Sequence, residues 1–147
     1  MTTSPPFQGA GLIWLTVAFA LIATPGWADP CKAIPDRGPA PPYLARGKVF
    51  QGPVSYVGDG DSLCVAVGKR QDQWVEVRLP DFYAPELHAP EGPAAKAALE
   101  DVVLGRVLQC RAEKQSYDRV VARCVLKGRS VGDILRARGA VEGGRGR

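Results

Sequence analysis

Five short runs in which apolar and polar residues alternate, with one helical run between the third and fourth, constrain this chain most. The runs are Lys48–Tyr56, Ser62–Val67, Trp74–Leu79, Arg106–Glu113 and Arg119–Leu126. They are rich in β-branched residues and bounded by Gly-Asp-Gly and Gly-Lys-Arg-Gln-Asp turns, so each reads as a strand. Between them, from about Pro93 to Leu104, Ala94, Ala95, Ala98, Leu99 and Val102 recur at helical spacing. Lys96, Glu100 and Asp101 take the opposite face, and Gly105 is placed to end the helix. A second, short helix is signalled by Ser130 with Asp133 three residues on, by apolar Val131, Ile134 and Leu135, and by Gly139 as its stop. An open sheet of five short strands leaves apolar edges that need covering; closure removes them. The expected fold class is therefore mainly β, a five-stranded OB-like barrel with packed helices.

The ends set the domain limits. Residues 10–23 form an uncharged apolar run of 14, followed by Pro25, Gly26 and Ala28. That run is short against the roughly 20 residues a membrane span needs. With small residues at Gly26 and Ala28, 1–28 reads as a secretory signal peptide, excluded from fold reasoning. An uncleaved anchor is the alternative, because the n-region has no Lys or Arg. Residues 29–46 are a proline-rich extension, with Pro35–Pro42 expected to be a stiff arm outside any packed element. The barrel domain is 47–141, one domain, and 142–147 a flexible Gly/Arg-rich tail. All 19 basic and 15 acidic residues follow Ala28, a net charge of +4 that suits a polyanionic partner and equally aids solubility.

Four cysteines in an exported chain permit two disulfides and three pairings. Cys110 and Cys124 lie in runs flanking a turn at Gln115–Asp118, and antiparallel pairing around it sets them nearly opposite one another. Cys110–Cys124 is the preferred bond, leaving Cys31 to tie the extension to Cys64. Zinc is disfavoured, since no pair has CxxC spacing. His88, the one histidine, has no histidine partner.

The chemistry-bearing residues are the acidic pair Asp59-Gly60-Asp61, then Arg78, Glu86 and Arg119. Negative charge builds on phosphate oxygens during phosphodiester cleavage. Fixed guanidinium groups stabilise it, and a carboxylate holds or deprotonates the attacking water. Each residue also has a plain reading: Asp59-Gly60-Asp61 as a hairpin turn, Arg78 as a structural ion-pair partner, Arg119 as a solvated strand residue.

Three motifs in order, Val57-Gly-Asp-Gly-Asp-Ser62, Val77-Arg-Leu-Pro-Asp-Phe-Tyr-Ala-Pro-Glu86 and Ser116-Tyr-Asp-Arg-Val-Val-Ala122, resemble those of the staphylococcal-nuclease-like (thermonuclease) family. Val131-Gly-Asp-Ile-Leu-Arg-Ala-Arg-Gly139 resembles that family's second helix, and the likeness spans about 47–141. It implies an OB barrel shortened at its carboxyl end and a monomeric nuclease, periplasmic or extracellular, that hydrolyses DNA or RNA. Arg78, Glu86 and Arg119 would be catalytic. Ca2+ would be held by Asp61, with Asp59 as an outer partner and the Ala84 carbonyl as a backbone contact. Tyr83 stands where the family has a second metal-ligating Asp, so ion binding should be weak unless Asp81, two residues earlier, substitutes. The alternative function is a catalytically degenerate barrel that binds nucleic acid or a protein partner, with Tyr83 and Tyr117 as stacking platforms for substrate.

Overall fold

A computed structural model describes residues 1–3, 29–36 and 38–143; the expected signal peptide falls almost wholly outside them. Strands β1 (Val49–Val57), β2 (Ser62–Ala66) and β3 (Trp74–Arg78) form an antiparallel meander. Helix α1 (Gly92–Val103) follows, then β4 (Val107–Ser116), β5 (Arg119–Leu126), the two-residue β6 (Arg129–Ser130) and helix α2 (Val131–Ala137). The strand order is β3-β2-β1-β4-β5-β6, and a parallel contact between β3 and β5 closes five strands into a barrel.

Alternation sets the faces. In β5 the even positions Val120, Ala122 and Cys124 are fully buried, and the odd positions point outward. Two bulges break this rule. In β1, Ser55 is the extra residue between Val54 and Tyr56, so Val54 and Val57 both reach the core. In β4, Glu113 is extra, which brings Lys114 opposite Val121 on the outer face. Helix α1 buries Ala95, Leu99, Val102 and Val103, and α2 buries Val131 and Leu135, on one shared core. Both helices end as anticipated, at Gly105 (φ 73°) and Gly139 (φ 75°), a backbone conformation that costs glycine little. The Ser130 hydroxyl accepts from the Asp133 amide at the start of α2.

Both preferred disulfides are present. Cys110 and Cys124 are direct cross-strand partners, and Cys31 joins Cys64 in β2. No helix among the described residues is long and apolar enough to cross a membrane.

Two expectations need correcting. The extension is not a free arm: Ala33 and Ile34 enter the core, and the amides of Lys32 and Ala33 donate to the carbonyls of Gln71 and Trp74. Pro42–Leu44 forms a 3-10 turn that buries Leu44, while Gln115 binds the Gly38 carbonyl and the Ala40 amide. Few hydrogen-bond donors in a proline-rich stretch do not prevent it from packing. Nor do the first two residues of the expected tail hang free: the Gly143 amide donates to the Tyr83 carbonyl at 3.0 Å, and Glu142 pairs with Arg136 at 3.0 Å. The two-residue β6 was too short to show a pattern.

Candidate functional site

The site grows out of the barrel seam. Arg78, the last residue of β3, stands opposite Ser62 on one side and Val121 of β5 on the other. Side chains two apart on a strand share a face, so Arg119, Val121 and Arg123 flank the same line as Arg78. Together with Tyr83, Glu113, Lys114 and Ser116 they line a groove of about 590 Å3. The Arg78 guanidinium lies 5.9 Å from the centre of the Tyr83 ring, within cation–π range. Arg119 forms no salt bridge among the described residues, although its charge acts on the nearby Glu76 carboxyl and favours the ionised form.

Behind Arg78 sits Asp61, 2% exposed. Its Oδ2 accepts the Ala84 amide at 3.0 Å, and its Oδ1 lies 3.1 Å from Arg78 Nη1 yet accepts no hydrogen bond. The preceding turn is pinned by Asp59, whose Oδ1 accepts the Asp61 amide at 3.0 Å. Gly60 admits no side chain there, because a Cβ would come within 2.4 Å of the Ala84 Cβ and 2.7 Å of the Ala95 Cβ. Burial, then the nearby Asp59 charge, pushes the Asp61 carboxyl up to about 7, against the lowering pull of Arg78 and the Ala84 amide.

Asp59, Asp61, Arg78, Tyr83, Ala84 and Arg119 are thus gathered at one end of the barrel, but Ala84 reaches Asp61 through its N–H. Glu86 is not part of the groove. It is exposed and lines a separate concavity with Glu91, Glu142 and Gly143. Asp81 is committed elsewhere: Ser130 Oγ donates to its Oδ2, which lies 3.7 Å from Arg123 Nη1, so it joins the loop to α2. Tyr117, at the tip of the β4–β5 turn, is 85% exposed with φ 58°. Lys114 and Arg123 were missed from sequence. Arg123 was within reach, four residues beyond Arg119 on one strand face; Lys114 was hidden by the bulge.

Calcium takes six to eight oxygen ligands. Two buried carboxylate oxygens accept no hydrogen bond among the described residues, Asp61 Oδ1 and Asp81 Oδ1, and a guanidinium nitrogen already lies 3.1 Å from the first. Asp59 Oδ1 is held by a backbone amide, Asp81 is turned toward α2, and Tyr83 brings a phenol. These donors do not fit a calcium ion held by several carboxylates, and no step is derived through one. Asp29, Cys31 and Cys64 also cluster, but the two sulfurs are spent in a disulfide and offer no thiolate.

No protein-family model matches the chain, and no match was found among curated proteins.

Proposed function

We propose that the barrel grips the phosphodiester backbone of DNA or RNA in the Arg78–Arg119 groove and acts as an exported nuclease of the thermonuclease type. The observation that supports this most is the lining of one groove by Arg78 and Arg119, with a buried carboxylate directly behind Arg78. Two guanidinium groups on adjacent strands can each donate two hydrogen bonds to non-bridging oxygens and offset charge as it builds there. Asp61 fixes Arg78, and with its pKa near 7 it is the carboxylate in this cluster suited to exchange a proton at neutral pH. The two disulfides are consistent with an oxidising compartment.

A second reading, binding without turnover, is favoured by the position of Glu86. The base expected from sequence lines a different concavity, and Tyr83 supplies a stacking face in the groove itself.

Purified protein is to be assayed for cleavage and for binding of single-stranded DNA, duplex DNA and RNA, with added divalent ions and with chelator. The nuclease reading predicts cleavage that falls about 100-fold or more in Arg119→Ala, on the scale of losing one oxyanion donor. Salt-sensitive binding without cleavage under any ion selects the second reading. Cleavage that survives replacement of both Arg78 and Arg119 would remove the groove as the site.

A further inference from the structure

The groove does not end at Arg119. Arg123 lines it and also lines a second concavity, of about 200 Å3, with Val49, Gln109, Arg111 and Val125. The register explains what meets there: Arg111 of β4 and Arg123 of β5 are direct cross-strand partners on the outer face. Side chains in such a pair start only about 5 Å apart, and like charges directly opposite one another are destabilising. The protein relieves this pair on one side only. Arg111 donates to the Gly47 carbonyl at 3.0 Å and has no salt bridge among the described residues. Arg123 has two ion pairs, 3.7 Å to Asp81 and 3.9 Å to Glu113, and its side chain is half exposed. An anion between the two guanidinium groups turns a repulsive pair into two charge-assisted contacts.

We infer that the Arg111–Arg123 pair is a second phosphate subsite, which holds the same nucleic-acid strand beyond the Arg78–Arg119 groove. The inference rests on the nucleic-acid reading above and extends it. Continuity identifies the occupant, since Arg123 belongs to both concavities. The four steps from Arg119 to Arg123 cover about 13 Å of strand. Duplex phosphates recur about every 3.4 Å along the axis of one strand, so this distance requires a ligand several nucleotides long. Valines 49 and 125 give the second concavity an apolar floor for sugar or base contact.

The test compares a trinucleotide with a single strand of about 16 nucleotides, the upper site size of one OB barrel, in salt titrations read by fluorescence anisotropy. Arg111→Gln, which lies outside the first groove, should weaken binding of the long strand several-fold. It should also lower the slope of log affinity against log salt by about 0.7, the single-strand value for one phosphate contact. Trinucleotide binding should be unchanged, and Arg111→Lys should restore most of the slope. Equal losses on both lengths would show a merely structural arginine, and no loss on either would show no contact; both overturn the subsite. If the wild type binds the long strand no better than the short one, the subsite fails while the first groove stands. If the wild type binds neither, the nucleic-acid reading falls and takes the subsite with it.

Discussion

At the scale of single residues, Asp61 illustrates how a site opposes stability. Its folded pKa of about 7 lies above the ordinary aspartate value of 3.8, because burial and Asp59 together outweigh Arg78. Between those two values the folded chain holds a proton that the unfolded chain has released. Raising the pH therefore removes stability, beginning near pH 4 and ending a little above 7. The contribution is on the order of 2–4 kcal/mol. Asp61→Asn is expected to flatten the pH dependence of urea unfolding across that window, without abolishing it. Glu76 keeps a slope of the same sign, since burial and then its hydrogen bond with Asp29 raise it from 4.5 to about 7. An unchanged slope in the variant would mean that Asp61 is ionised in the folded protein throughout.

At the scale of elements, the turn between β1 and β2 matters through where it holds Asp61. Gly60 packs against Ala84 and Ala95, so the turn, the loop before α1 and α1 itself meet at one point. Gly60→Ala forces two small side chains and a helix backbone to give way, a cost of about 1–3 kcal/mol for overpacking. It also draws Asp61 away from the Ala84 amide and Arg78. Oligonucleotide affinity should therefore fall even at a temperature where circular dichroism shows the variant fully folded; retained affinity would show that this contact does not position the site. The five barrel strands and both helices were legible in the sequence to within a few residues, because alternation and helical spacing are local signals. The cross-strand Cys110–Cys124 bond followed from the same alternation. The bulge at Glu113 was not legible, since an extra residue leaves the polarity of its neighbours unchanged while reversing the face they occupy. The concavity that Glu86 lines, with Glu91 and Glu142, was not legible either, since its spacing from Arg78 fixes only a distance along the chain.

For the molecule as a whole, the barrel and the gathering of Arg78, Arg119 and Asp61 were anticipated, and the packing of residues 33–44 and 142–143 against it was not. Proline content spoke for the first end and glycine content for the second. Neither reports the long-range contacts, Ala33 to Trp74 and Gly143 to Tyr83, that tie these segments down. One feature of the barrel also reaches into time. Its closure rests on a short parallel ladder, Val77 with Val120 and Arg78 with Val121, while every other strand pair is antiparallel. Helix α1 and the whole of β4 lie between the partners, so this ladder bears a larger loop-closure cost than the neighbouring hairpins. The same rungs hold Arg78 beside β5. During refolding with the disulfides intact, the β2–β3 hairpin, reported by Trp74 with its indole bound to the Gly68 carbonyl at 2.9 Å, should recover before capture of a labelled oligonucleotide. Coincident recovery would show that the seam closes with the hairpins. A late seam makes the groove between Arg78 and Arg119 the last surface the folding chain completes, so a partly folded copy has the strands but not yet the cleft between them.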